Sequence, residues 1–346
     1  RRTLDYALEE LRLPGGGFAC AQDVDSGGVE GGFYYLTRAG VEEALGAGEA
    51  GVFCQRLSIG ETASIPQLLD DSGYASFWTE HGAACRRLAG FRRRRGSLHR
   101  DDKVLTSWNA MMIAALAKAA RVLGEEKYLR AAQSARLFLK TRLTAGDGRL
   151  RLRWRDRESA VEGQLDDYAF YCWALVELYE TGFSTSCLRE AAGLAKQMEA
   201  LFWDEAGGGF YRTAAEGERL IVRQKDAFDS GTPSGGAAAG LALVRLARLT
   251  GGEDFQELAD RQLSWLAGEA GRQPEACCAA LLAMAEALYP RRELVCVSAQ
   301  DVPAWLAETG ERERLAVLAK TPENSRALDR LAPRAAEYPL PAGGEM

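Results

Sequence analysis

Histidine is almost absent from this chain: 346 residues include two, His81 and His99. With so few imidazoles a His-rich metal centre is excluded, and any triad-type nucleophile has only two residues from which to draw its base. Cysteine occurs eight times but never as Cys-x-x-Cys, and no spacing matches a zinc ribbon. Most cysteines sit in apolar helical stretches, as in Tyr171-Cys172-Trp173 and Ala276-Cys277-Cys278-Ala279, where a free thiol packs as a small hydrophobe. A core of this size needs no disulfide staples, so a reduced, cytoplasmic chain is expected. No apolar run reaches about 18 residues, which excludes a helical membrane span. Positive charge is also in deficit: 43 Lys and Arg against 49 Asp and Glu leave a net charge of −6, the wrong sign for a nucleic-acid partner. Arg1 to Leu13 carry no initiator Met and no charged-then-apolar leader; they read as the rest of an amphipathic helix, so a cut N-terminus is expected.

What is present is globular material, 47% apolar and 27% charged, unlike disordered, collagenous or coiled-coil chains. Apolar residues recur at three-and-four spacing from Val104 to Leu123, Glu125 to Leu143, Gly163 to Tyr179, Leu188 to Phe202, Ser234 to Leu249, Asp254 to Leu266 and Pro274 to Leu288. Gly124, Thr181-Gly182 and Gly251-Gly252 divide these segments into antiparallel pairs. The first helix of several pairs is Ala-rich and apolar nearly all round, which marks it as buried on two sides. Gly15-Gly16-Gly17-Phe18, Gly31-Gly32-Phe33-Tyr34-Tyr35 and Gly207-Gly208-Gly209-Phe210-Tyr211 read as hairpins at one end of the helical layers. Together these features describe an all-α, double-layered helical toroid with fewer than six complete hairpins and a funnel at the loop end. Residues 1–290 are assigned to it. Residues 291–338 read as a small α/β region with strands at Glu293 to Val297 and Arg314 to Leu318 and helices at Val302 to Thr309 and Ser325 to Leu331, and 339–346 as a tail.

Three motifs yield to plainer readings. Gly46-Ala47-Gly48-Glu49-Ala50-Gly51 matches the dinucleotide fingerprint by letter, but a helix precedes it and the strand-like Val52-Phe53-Cys54 follows, the reverse of the required context. Asp23-Val24-Asp25-Ser26-Gly27-Gly28 opens like a calcium loop, yet Gly27 and Tyr34 stand where ligands belong. Arg92-Arg93-Arg94-Arg95 reads as a solvated loop. No metal or cofactor is expected.

Acids recur beside aromatic or Gly-rich segments at helix starts. Asp101-Asp102-Lys103 leads into Trp108-Asn109, Asp166-Asp167-Tyr168 opens another inner helix, and Asp226 and Asp229 precede Pro233-Ser234-Gly235. Capping accounts for part of this, since a carboxylate at a helix start accepts free amides. Carboxylates beside aromatic platforms are also what sugar chemistry needs. Adjacent helical residues project about 100° apart, so one of Asp166 and Asp167 is expected to cap and the other to face the funnel.

Gly16-Gly17-Phe18, Ala21-Gln22-Asp23-Val24-Asp25-Ser26, Glu30-Gly31-Gly32-Phe33-Tyr34, the string His99-Arg100-Asp101-Asp102-Lys103-Val104-Leu105-Thr106-Ser107-Trp108-Asn109, Leu165-Asp166-Asp167-Tyr168-Ala169-Phe170 and Pro233-Ser234-Gly235 follow one another in a family order. In that order the chain resembles the spermatogenesis-associated protein 20 family of thioredoxin-domain-containing proteins, over nearly its whole length. The resemblance implies an all-α (α/α)6-toroid, here incomplete, like six-hairpin glycosidases and sugar 2-epimerases, preceded by a thioredoxin-like domain with a Cys-x-x-Cys motif. That domain is not in this sequence, so the chain resembles the C-terminal part of a longer protein, with the thioredoxin-like domain as an implied partner. Gly236 and Ala110 stand where the family usually has Asn and Gly. The implied function is binding or processing of a carbohydrate-like ligand, as a glycoside hydrolase or epimerase-like enzyme. Asp23, Asp25, His99, Asp102, Asp166 and Asp167 are the candidate catalytic groups, and Phe33, Trp108, Asn109, Tyr168 and Ser234 the ligand contacts. For His99 the alternatives are a general base at the funnel rim or a loop residue bonded to a nearby carbonyl. Resemblance to carbohydrate-active toroids favours Asp167, beside Tyr168, as the inward acid. The alternative for the whole chain is a non-catalytic scaffold working with the thioredoxin-like domain.

Overall fold

In the computed structural model, which describes residues 1–217, 220–289, 291–303, 306 and 315–341, the chain divides into two compact units. One is Arg1–Cys20 with Lys103–Met346, the other Ala21–Asp102. In the first, α1 (Arg2–Tyr6) continues into a π-helical turn, Ala7–Leu11.

The unit Ala21–Asp102, which falls within the stretch 1–290 assigned above to the toroid, has a core of its own. Strand β1 (Ala21–Gln22), the hairpin β2 (Asp25–Ser26) with β3 (Val29–Glu30), helices α2 (Arg38–Leu45), α3 (Ala47–Arg56), α4 (Tyr74–Glu80) and α5 (Gly82–Arg95), and β4 (Arg100–Asp101) follow in order. β1 pairs antiparallel with β4, and Gly27-Gly28, both at positive φ, turn the β2–β3 hairpin. Val41, Leu45, Ala50, Phe53, Phe77, Leu88 and Phe91 form the core. Two expectations are corrected here. Val52-Phe53-Cys54 lies inside α3 rather than in a strand, because Ala50, Phe53 and Cys54 are buried at helical spacing. Gly32–Tyr34 is a 3₁₀ turn rather than a hairpin strand.

In the other unit, β5 (Val104–Leu105) leads into α6 (Thr106–Leu123) and α7 (Glu126–Arg142). After β6 (Arg151–Arg155) and β7 (Glu158–Glu162) come α8 (Leu165–Gly182), α9 (Thr185–Phe202), α10 (Gly235–Thr250), α11 (Glu253–Ala270) and α12 (Cys278–Leu288). The inner series is α6, α8, α10, α12, each packed on the next, and α7, α9 and α11 pair back onto α6, α8 and α10. This is the inner-and-outer arrangement of an (α/α) toroid, with three complete helical hairpins among the described residues. The two central inner helices, α8 and α10, are buried nearly all round: only four of the 18 residues of α8 escape burial, as apolar circumference requires. Gly124 and Gly251 close the first and third hairpins in the left-handed conformation. In the second hairpin α8 runs through Gly182, and Phe183 takes that conformation at φ +53. Its buried ring packs edge-on to Tyr179, a contact that holds a side chain where glycine would otherwise be favoured. The β5–β6–β7 sheet was not anticipated; Asp156-Arg157, both at positive φ, make its two-residue turn.

β8 (Arg292–Val297) and β9 (Leu315–Lys320) pair in parallel, and α13 (Ser325–Leu331) follows. The expected helix from Val302 to Thr309 falls mostly outside the described residues, as do Arg314 and residues 342–346.

Charges are buried near the C-terminal ends of the inner helices. Glu177 of α8, 2% exposed, accepts from Arg121 of α6 (2.9 Å) and from Arg245 of α10, while Glu180 pairs with Arg291 at 3.1 Å. Arg291 and Arg248 then share Glu286 of α12 at 2.9 and 2.8 Å. One carboxylate thus clamps three inner helices and the chain of pairs reaches the fourth. Nothing in the local sequence announces it.

Candidate functional site

The N-terminal ends of the inner helices carry the acids that the sequence singles out. At α8, Gln164 is the N-cap and Asp167 sits three residues into the helix. Its Oδ2 accepts from the Gln164 amide at 2.9 Å, and the Gln164 side chain accepts from the Asp167 backbone in return, a capping box. The other oxygen, Oδ1, accepts from the Ser107 amide of α6 at 2.9 Å. Asp167 therefore ties two inner helices together at their starts. Asp229 repeats the device, taking the Ser234 amide at 2.9 Å and the Ala279 amide at 2.8 Å. Asn109, 2% exposed, accepts from the Phe18 amide at 2.7 Å and donates to the carbonyls of Phe18 and Leu105 at 3.0 Å. Ser234 is the N-cap of α10, and its hydroxyl accepts from Ala237. Tyr168 is 1% exposed, packs edge-on to Phe202, and its hydroxyl accepts from the Leu150 amide. These groups hold the fold, and none of them offers an open face to a ligand.

Burial pushes the Asp167 pKa from 3.8 up to about 7, outweighing two amide donors that favour the charged form. The folded carboxyl binds its proton more tightly than the unfolded one. Its contribution to stability is therefore full below about pH 4 and is lost as pH rises from about 4 to about 7. The melting temperature is expected to fall across that window. Asp167→Asn lowers it at every pH, because an amide NH₂ then faces an N–H donor, and reduces the slope. Thermal unfolding from pH 4 to pH 8 checks this, and an unchanged slope would show that the carboxyl does not titrate there.

Asp166 differs from its neighbour. Half-buried, it accepts no hydrogen bond among the described residues. Burial raises its pKa, Arg212 opposes that, and Asp226 adds to it. Asp226 in turn pairs with Arg212 at 3.5 Å, both half-exposed. The carboxylate of Asp166 lies against Gly235 and the Asp226 carbonyl against Gly236, so a Cβ at either glycine would collide. The expectation for the adjacent pair is thus reversed: Asp167, at the third helical position, caps, and Asp166 is left free. Trp108, in the first turn of α6, is 47% exposed, and the Asp167–Ser107 bond sets that turn beside the first turn of α8. Arg212, on the loop before α10, was not anticipated, and no local pattern marks it. Nor was Gln262, fully buried, which bridges the Phe210 amide (3.0 Å) and the Gly236 carbonyl (3.0 Å). It occupies the surroundings of Gly236, where a larger side chain has no room.

Asp23, Asp25, Phe33, His99 and Asp102 belong to the other unit. Asp23 and Asp25 are exposed, and an Asp23 oxygen accepts from the Asp25 amide at 3.3 Å. His99 is exposed, and its carbonyl accepts from the Asp23 amide at 2.7 Å. Asp102 is half-buried and partnered. The Phe33 ring is buried, with the Arg92 guanidinium 4.9 Å above it, so that face is closed to a sugar ring. Among the described residues no group of three or more His, Cys, Asp or Glu could hold a metal ion.

Fold and helix-end carboxylates define an all-α protein of the (α/α)-toroid type, and no family model matches the chain. Over about half of its length it is homologous to spermatogenesis-associated protein 20. The match is 36% identical over 176 residues to the Rattus norvegicus protein and 34% to the Homo sapiens protein. In each case it covers 48% of this chain and 22% of the relative, so the matched part is about a fifth of those proteins' length. Among solved structures, a family 76 glycoside hydrolase from a bovine Bacteroides thetaiotaomicron strain is similar at TM-score 0.43 and 13% identity, covering 77% of this chain and 55% of that one. Cellobiose 2-epimerase from Bacillus thermoamylovorans B4167 is similar at TM-score 0.40 and 18% identity, covering 47% and 44%.

Proposed function

We propose that the N-terminal ends of the inner helices bind and process a carbohydrate-like ligand, with Asp166 as general acid, Asp226 as the second carboxylate and Trp108 as the platform for a sugar ring. The observation that supports this reading is the freedom of Asp166. Its neighbours Asp167 and Asp229 spend both oxygens on backbone amides, whereas Asp166 spends neither, and burial makes it hold a proton longer than an exposed carboxyl does. A carboxyl with a raised pKa beside one facing a fixed positive charge is the asymmetry that divides acid from base in hydrolysis and epimerisation. The flat, half-exposed indole of Trp108 suits the apolar face of a sugar. A second reading, a scaffold for the implied thioredoxin-like domain, is favoured by the commitment of Asp167, Asp229, Asn109 and Ser234 to helix ends. All eight cysteines are free thiols, in keeping with a reducing, cytoplasmic setting, and among the described residues no helix is long and apolar enough to cross a membrane.

A thermal-shift panel of neutral hexoses and α- and β-linked disaccharides on the whole chain separates the two readings. At least one saccharide is expected to raise the melting temperature of the wild type and not of Trp108→Ala. Silence across the panel would sink the carbohydrate reading and leave the scaffold.

A further inference from the structure

A cleft of about 250 Å³ opens between α7 and α9, lined on one side by Ser186, Arg189, Glu190, Gly193 and Gln197 and on the other by Lys140 and Gly148. The α9 residues recur at three-and-four spacing, so one face of that helix builds a whole wall. Glu190 is fully engaged: Tyr171 donates to Oε1 at 2.6 Å and Arg136 to Oε2 at 2.6 Å. Its charge is matched by Arg136. Lys140 stands 3.6 Å from the oxygen that Arg136 already holds, and Arg189 has no ion pair or hydrogen bond among the described residues. Two cations are therefore left over at the cleft, in a chain whose net charge is −6.

Two further features fit an occupant. Gln197 Oε1 is buried without a donor, an arrangement that costs free energy until something supplies one. Gly193 sits in the middle of α9 with no atom within 4 Å of where its Cβ would stand. Glycine weakens a helix interior, and here its absence of a side chain keeps the cleft open.

We propose that this cleft binds a small organic anion, a phosphate or carboxylate compound that also carries a hydroxyl. Lys140 and Arg189 take the anionic group, and the hydroxyl donates to Gln197. The volume suits a three- or four-carbon compound. Calorimetric titration of the whole chain at low salt, with glycerol 3-phosphate, glycerate and inorganic phosphate as probes, tests it. Binding of glycerol 3-phosphate but not glycerate assigns a phosphate group, and the converse assigns a carboxylate; inorganic phosphate, lacking the alcohol, is expected to bind more weakly than glycerol 3-phosphate. Arg189→Ala is expected to weaken binding about tenfold or more. Gly193→Leu is expected to keep or raise the melting temperature while abolishing binding, so lost affinity in that variant cannot be laid to misfolding. Failure of every probe to bind at about 10 mM, or full affinity in Gly193→Leu, overturns the proposal.

Discussion

Glu177→Ala is expected to lower folding stability by about 3–5 kcal/mol, the cost of breaking a buried ion pair from one side. Glu177, Arg121 and Arg245 are 2%, 4% and 6% exposed at their side chains. Deleting the carboxylate leaves two guanidiniums in the interior with only part of their charge matched by Glu180. Urea unfolding measures the loss. The triple variant Glu177→Leu, Arg121→Met, Arg245→Met is expected to recover most of it, because the desolvation of all three charges disappears together. A single variant costing less than about 1 kcal/mol would place the network in the class of exposed pairs. Burial opposes ionisation of Glu177, but Arg245 and Arg121 overcome it and bring its pKa from 4.5 to about 2. A group whose folded pKa is depressed stabilises above the unfolded value. The contribution is therefore lost as pH falls from about 4.5 to about 2, and Glu177→Gln removes that part of the acid sensitivity.

The second large effect concerns chemistry rather than folding. If Asp166 transfers a proton to a saccharide, Asp166→Asn is expected to lower turnover by about 10²- to 10⁴-fold while the melting temperature hardly moves, because the carboxyl holds no hydrogen bond to lose. Gly235→Ala offers an independent approach. Its new Cβ would collide with Oδ1 of Asp166, pushing the carboxylate out of position without removing it. Both variants are expected to lose turnover on whichever saccharide the thermal-shift panel identifies. Asp167→Ala is expected to do the opposite, losing stability through two unpaired amides. Equal destabilisation by Asp166→Asn and Asp167→Ala, with turnover intact in both, would reduce the pair to structure.

How much of this was legible in the sequence depends on how local each feature is. The helices of the inner and outer series follow from three-and-four periodicity, which needs only the chain itself, and their observed limits lie within a few residues of the expected ones. Gly124 and Gly251 were readable as helix ends for the same reason. Phe183 was not, because its left-handed conformation depends on a ring contact with Tyr179 rather than on a residue without a side chain. Val52-Phe53-Cys54 misled because three β-prone residues were weighed alone, whereas burial of Ala50 with Phe53 and Cys54 made them one face of α3.

The chain by itself determined an all-α pairing of apolar inner and amphipathic outer helices, with acids gathered at the inner helix starts, since backbone hydrogen bonding and apolar spacing are properties of consecutive residues. Only the tertiary structure decided which acid was spent. Gln164 is not among the preferred N-cap residues, so the capping box it makes with Asp167 shows only in the fold, and the second amide that Asp167 takes comes from Ser107, 60 residues away. Glu177 likewise became a clamp only when α6 and α10 brought their arginines to it. A carboxylate's role is set by the donors and charges around it, and those arrive from distant segments that local spacing does not encode.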